Sequence, residues 1–179
     1  LVIIAGPTAV GKTATAVALA KHFNTEIISA DSRQFFKELK IGTAKPDPHQ
    51  LKEVRHYFID SHSITEDYDA AQFGRDALEV IHKLFEEKDC IILCGGSGLY
   101  IKAVIEGFDE IPEINSEIRQ SILDAYHIHG IDWLQNKMRD LDLSVYQRLD
   151  QKNPHRLIRA LEVKLGTGVS ISAFRKNKK

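Results

Sequence analysis

Sulfur is scarce in this sequence: two cysteines and one methionine in 179 residues, alongside a single tryptophan. Two cysteines cannot build a disulfide scaffold. Cys90 and Cys94 flank the apolar run Ile91-Ile92-Leu93, where a mutual bond would distort a strand. Both read as reduced core thiols of a cytoplasmic protein. Long hydrophobic runs are also lacking. None approaches the roughly 20 residues of a membrane-spanning helix, and no basic start leads into an apolar stretch and a cleavage site. No membrane association is expected. Charge of one sign is missing too: 24 Lys+Arg stand against 25 Asp+Glu, a formal net charge of -1. That balance, with 43% hydrophobic residues, excludes an intrinsically disordered chain. It does not exclude a nucleic-acid partner, which needs only a local basic patch. Internal repeats and low-complexity segments are absent. The length suits one domain, or one domain carrying an insertion.

What is present is an alternation of strand and helix through the first 108 residues. Leu1 to Ala5 is a continuous apolar run, as in a strand buried on both faces. Lys12 to Phe23 reads as a helix with Ala16, Leu19, Ala20 and Phe23 on one side. Ile27-Ile28-Ser29 and Tyr57-Phe58-Ile59 read as short strands. Residues 70–87 form an amphipathic helix through Phe73, Ala77, Val80, Ile81 and Leu84. Cys90 to Cys94 is a further strand, and Gly95-Gly96-Ser97-Gly98 turns into a short helix through Val104. This pattern predicts a doubly wound parallel sheet. Residues 109–150 lack strand character and read as an insertion of two or three helices, with Ile118, Ile122, Trp133, Leu134 and Met138 apolar. Asn153-Pro154 starts another helix as cap and first-turn residue, with Leu157, Ile158, Leu161 and Leu165 as its stripe and Gly166 or Gly168 as its end. Residues 175–179 form a basic tail. The catalytic core is thus expected over 1–108 and 151–179.

The sharpest signal is Gly6-Pro7-Thr8-Ala9-Val10-Gly11-Lys12-Thr13. It matches G-x-x-x-x-G-K-[ST] between a predicted strand and a predicted helix, the context this phosphate loop requires. Glycine lets the backbone curl so that several N–H groups and the helix start face phosphate oxygens. Lys12 supplies a point charge, and the Thr13 hydroxyl is placed to reach Mg²⁺. A phosphate-loop ATPase adds a second apolar strand ending in Asp; the strand Cys90–Cys94 runs into Gly95-Gly96 instead, and Ile59-Asp60 is the substitute on offer. ATP hydrolysis is therefore disfavoured. Phosphoryl transfer to a small acceptor, as in a nucleotide or small-molecule kinase, and displacement of pyrophosphate from an activated donor both stay open.

Asp31 follows the second strand, at the sheet edge where ligands of open parallel sheets bind. Its carboxylate suits a proton acceptor or a holder of metal-bound water, although Asp is also a common turn former. Arg33 and Gln34 add a guanidinium fork and an amide able to read a base edge. Arg156 and Arg159 open the helix after Pro154, where cations oppose the helix dipole, so an anionic partner explains them better than helix stability. His127, His129 and Asp132 read as solvent-facing groups and not as a metal site.

Taken in order, GPTAVGKT, IISADSRQ, IGTAKP, HYFID, GGSGLY and HRLIRALEV resemble the tRNA dimethylallyltransferases, or tRNA isopentenyltransferases. The resemblance spans nearly the whole chain and is weakest over 109–150. It implies a P-loop NTPase-like fold with a helical insertion, and transfer of a dimethylallyl group from dimethylallyl diphosphate to N6 of adenosine 37 beside the tRNA anticodon. The residues from Gly6 to Thr13 then hold the diphosphate with Mg²⁺. Asp31 matches the family's base, Thr8 its threonine near the bridging oxygen, and Lys12 completes the catalytic set. Asp31, Ser32, Arg33, Gln34 and Ser97 carry over as tRNA contacts; Ser97 stands where many members have Thr. His155, Arg156, Leu157, Ile158 and Arg159 correspond to a tRNA-contacting segment, with Arg119 a further contact in the insertion that embraces the anticodon stem-loop. Trp133 and Tyr126 are expected in the insertion's small core. A monomer is expected. Family members continue beyond HRLIRALEV, so the chain is expected to be part of a longer enzyme. A related enzyme alkylating free adenine nucleotides is the alternative within this chemistry.

Overall fold

The computed structural model describes residues 1–109 and 111–174; the basic tail at 175–179 lies outside the described residues. The chain divides into two compact units, Leu1–Phe108 and Asp109–Lys179.

The first unit is built on a parallel four-stranded sheet in the order β1-β4-β2-β3, with β1 at Val2–Ala5, β2 at Ile27–Ser29, β3 at His56–Tyr57 and β4 at Ile92–Gly95. Side chains alternate along each strand. Ile27 and Ile92 join Ala16, Val17 and Ala20 on one face. Ile28, Ile91 and Leu93 join Phe35, Phe73, Ala77 and Ile81 on the other. Helix α1 (Lys12–His22) covers the first face. Helices α3 (Ala70–Phe85) and α4 (Gly98–Ile105) cover the second. The fold is thus the doubly wound α/β arrangement that alternation predicts. Each fully buried Ile or Leu contributes roughly 1.5–3 kcal/mol.

Several local expectations change. β1 was expected to be buried on both faces, but it pairs only with β4 and stands at the edge of the described sheet, with Leu1 47% and Ile3 39% exposed. Phe23 caps α1 and is exposed rather than part of its core stripe. The third strand ends at Tyr57 because Phe58 and Asp60 take positive φ, 61° and 50°. A helix absent from the expectations, α2 (Pro48–Glu53), starts on a capping box: Asp47 accepts from the Gln50 N–H at 2.9 Å and Gln50 Oε1 accepts from the Asp47 N–H at 3.0 Å.

The second unit is helical. Helix α5 (Ser116–Leu141) is broken at Gly130, φ 72° and ψ −169°, so it acts as two helices. The short α6 (Leu143–Tyr146) follows, then α7 (Pro154–Thr167) and the short α8 (Ile171–Phe174). Asn153 caps α7 as expected, its Oδ1 accepting from the Arg156 N–H at 3.3 Å, and Gly168 ends it in the left-handed region. Ile122, Leu134 and Met138 of α5 share one core with Leu157, Ile158 and Leu161 of α7, with Tyr126 and Trp133 packed beside it. Leu165 lies 42% exposed, outside the stripe assigned to it. The expected grouping of 151–179 with the α/β core does not hold for α7, which is built into the same core as α5.

Candidate active site

Of the residues singled out in the first unit, Thr8, Ala9, Gly11, Lys12, Thr13, Asp31 and Gln34 line one cleft of about 290 Å³, whereas Gly6, Pro7, Val10, Ser32, Arg33 and Ser97 are not among its lining residues. The loop joins β1 to α1. Ala9 and Gly11 take positive φ, 66° and 91°, which turns the backbone over itself. Thr8, Gly11, Lys12 and Thr13 line the cleft. The Lys12 ammonium donates to the Pro7 carbonyl at 2.5 Å, which lays the cation across the loop.

The opposite wall comes from Gly95 at the end of β4 and Gly96 just after it. A Cβ on Gly95 would lie 2.0 Å from the Ala30 carbonyl oxygen, so only glycine fits between β4 and the end of β2. A Cβ on Gly96 would lie 3.4 Å from the Gly6 carbonyl oxygen, 3.8 Å from Asp31 Oδ2 and 4.0 Å from Lys12 Nζ. Loop, carboxylate and ammonium therefore meet around one bare backbone position. Asp31 Oδ1 accepts from the Arg33 N–H at 3.0 Å, which fixes the carboxylate. Ser97 ties the turn before α4 to this segment: the Ser32 N–H donates to Ser97 Oγ at 2.9 Å, and the Ser97 hydroxyl donates to Ser32 Oγ at 3.2 Å.

Gln34 lines the cleft, but its amide is already committed. Its Oε1 accepts from the Ser29 hydroxyl at 2.8 Å, and its Nε2 donates to the Thr43 and Ala44 carbonyls at 3.1 and 2.8 Å. It braces the Ile41–Pro46 loop, which supplies a purpose for that segment. Lys45 of the same loop donates to the Phe36 carbonyl and pairs with Asp60, both at 2.6 Å. Asp60 is therefore the partner of Lys45 and does not line the cleft.

Cleft residues with no site role expected from the sequence include Pro46, Gln50, His56 and Cys94. His56 stands opposite Ile27 in the sheet. Its Nδ1 donates to the Val54 carbonyl at 2.9 Å, so the acceptor lone pair sits on Nε2, which is buried without a partner. Burial holds its pKa below the ordinary 6.5. The period-2 alternation of β4 is the signal that would have placed Cys94 on the cleft face. Burial pushes its thiol pKa up, against a smaller opposing effect of the Lys12 charge.

In the second unit Arg156 and His155 are exposed on α7. Arg119 and Arg159 reach one buried carboxylate, Glu162. Leu157 and Ile158, grouped with the tRNA contacts, are 0% and 4% exposed and belong to the core instead. His127, His129 and Asp132 form no metal cluster, and no group of three or more His, Cys, Asp or Glu side chains suited to a metal occurs among the described residues. At the phosphate loop Thr13 lines the cleft, and its hydroxyl is a hard oxygen donor. That fits Mg²⁺, which takes most of its ligands from substrate oxygens and water.

Fold and site together define a P-loop NTPase-like α/β protein whose sheet edge brings a carboxylate to the phosphate loop. Comparison with known proteins narrows this class. The IPP transferase family model matches residues 34–179, and the chain belongs to that family. It is 49% identical over all 179 residues to a tRNA dimethylallyltransferase of Christiangramia forsetii, covering 59% of that protein. It is 45% identical to tRNA dimethylallyltransferase 1 of Bacteroides thetaiotaomicron, covering 58%. The crystal structure of the full-length tRNA isopentenylpyrophosphate transferase from Bacillus halodurans matches 95% of the chain at 36% identity and TM-score 0.57, over 56% of its own length. A eukaryotic dimethylallyltransferase acting on tRNA shares the fold at 24% identity and TM-score 0.77, over 97% of this chain and 43% of its own. The chain thus spans somewhat over half the length of the bacterial relatives it matches. No helix among the described residues is long and apolar enough to cross a membrane.

Proposed function

We propose that the protein transfers a dimethylallyl group from dimethylallyl diphosphate to N6 of adenosine 37 in tRNA and releases pyrophosphate, acting as a monomer in the cytoplasm. The observation that carries this reading is the meeting of loop, Lys12 and Asp31 around Gly96, on a strand that ends in glycine where an ATPase would carry a second carboxylate. The loop N–H groups and Lys12 bind the diphosphate and stabilise the charge it gains as it leaves. Thr8 lies in the loop at the family's position beside the bridging oxygen. Asp31 takes the proton from the exocyclic amine, a poor nucleophile because its lone pair is delocalised into the ring. The N6–carbon bond forms as the carbon–oxygen bond to diphosphate breaks, and the proton ends on the carboxylate. Thr13 would hold Mg²⁺, which neutralises charge on the diphosphate when bound. Adenosine in a single-stranded loop is extruded at lower cost than in a duplex. Ser32 and Arg33 follow Asp31 in the chain and Ser97 is bonded to Ser32, which suits the three to contact the RNA around the base, while Gln34 braces the cleft wall.

The test is acceptor and donor choice. The protein is incubated with Mg²⁺ and dimethylallyl diphosphate together with unmodified tRNA or AMP. The expected product is N6-alkylated adenosine in tRNA, with pyrophosphate. Preferential alkylation of AMP, or ATP-dependent phosphorylation of a small acceptor without prenyl transfer, would contradict the proposal.

A further inference from the structure

The second unit holds one carboxylate in a place where a carboxylate is costly. Glu162 of α7 has a side chain only 7% exposed and is flanked by Leu161 and Val163, both fully buried. A charge withdrawn from water needs partners to compensate it. Two guanidiniums do so from different helices. Arg119 of α5 donates through Nη1 to Glu162 Oε2 at 3.0 Å, and Arg159, one turn earlier on α7, places its Nη1 3.2 Å from the same oxygen. The arginine side chains remain 52% and 45% exposed. Each contact spends one nitrogen, and a guanidinium carries five N–H donors, so the outer edges of both stay available to a ligand. Two positive charges against one negative leave the cluster cationic. Arg156, exposed one further turn back on α7, extends it.

We propose that Glu162 is a positioning residue for RNA: it holds Arg119 and Arg159 as a two-helix fork that grips one backbone phosphate of the RNA substrate. This rests on the tRNA reading above. Guanidinium forks match phosphate geometry in a directional way that a lysine does not. A long side chain ordered before binding forfeits less freedom when the phosphate arrives. The buried carboxylate supplies that order from behind, while its own charge is matched by the pair it holds.

The two roles open to Glu162 predict opposite signs. As a mere negative charge near RNA, its removal tightens binding; as a positioning residue, its removal weakens binding. The experiment measures binding of an anticodon stem-loop RNA to the protein and its E162Q variant, alongside steady-state kinetics. E162Q is expected to weaken RNA binding by about three- to tenfold, the ordering cost of one or two long side chains. The KM for tRNA rises while kcat and the KM for dimethylallyl diphosphate hold. In an R119A/R159A background the same change no longer weakens binding; in an R156A background it still does. Unchanged or tighter RNA binding by E162Q, with the wild type binding normally, overturns the fork alone. Failure of the wild-type protein to bind the RNA overturns the tRNA reading and the fork with it. Should E162Q not fold, R119K and R159K decide, since each keeps the charge and loses the fork; undiminished affinity in both overturns the proposal.

Discussion

Asp31 and Lys12, to which the proposed reaction assigns the base and the diphosphate contact, are held differently. One Asp31 oxygen is occupied by the Arg33 N–H, and the other faces the bare backbone of Gly96 beside the ammonium. Asp31→Asn keeps the shape and removes the base, so kcat for prenyl transfer should fall by about 10²- to 10⁴-fold, with little change in the KM for dimethylallyl diphosphate. A loss confined to KM in steady-state assays would remove the base role. His56 gives a second residue-scale prediction. Burial lowers its folded-state pKa below 6.5, so its contribution to stability is intact above 6.5. That contribution is lost as pH falls through 6.5 towards the folded value, because the unfolded chain takes up the proton first. The urea midpoint measured between pH 8 and 5 should fall less steeply for His56→Gln than for the wild type. Identical pH dependence would contradict this. The phosphate loop and Asp31 were legible in the sequence because the G-x-x-x-x-G-K-[ST] spacing and an acidic residue after an apolar strand stand out by themselves; Ser97 was reached only through the family resemblance. The commitment of Gln34 was not legible, because Ser29, Thr43 and Ala44 become its partners only once the chain has folded.

At the scale of elements, local rules and tertiary packing left different marks. The periodicity of α3 was plain because its buried stripe, Phe73, Ala77 and Ile81, repeats at helical spacing. The α2 helix was missed although Asp47, Pro48 and Gln50 form a capping signature, because no apolar stripe follows it and none of its residues is buried. Asp47→Ala should therefore cost about 1 kcal/mol, read as a lowered urea midpoint with the α/β core otherwise intact. Gly95→Ala should cost much more. The added methyl meets the Ala30 carbonyl, a rigid backbone obstacle, and overpacking of this kind costs about 1–3 kcal/mol or more. Thermal unfolding that left Gly95→Ala as stable as the wild type would contradict the close approach of β2 and β4. The exposed face of β1 was not legible: Leu1 to Ala5 is apolar throughout, and which face finds a partner depends on strand order.

Across the whole molecule, two units of different construction meet the two demands of the proposed reaction. The α/β unit carries the phosphate loop and Asp31, the proposed diphosphate cradle and base. The helical unit carries Arg119 and Arg159, both paired with Glu162. Near-neutral net charge is compatible with an RNA substrate because affinity depends on where phosphate contacts sit. The alternation of strand and helix foretold the first unit. The second was harder, since α7 shares the core of α5 and nothing in the helical periodicity of either says which partner it will choose. The proposed role of the cleft between the phosphate loop and Asp31 is prenyl transfer to tRNA. Mass spectrometry of nucleosides from unmodified tRNA, treated with the protein, Mg²⁺ and dimethylallyl diphosphate, tests it most directly. N6-dimethylallyl adenosine should form with the wild type and be nearly absent with Asp31→Asn and Lys12→Ala. Unmodified adenosine with a folded wild-type preparation, or product undiminished in both variants, would contradict it.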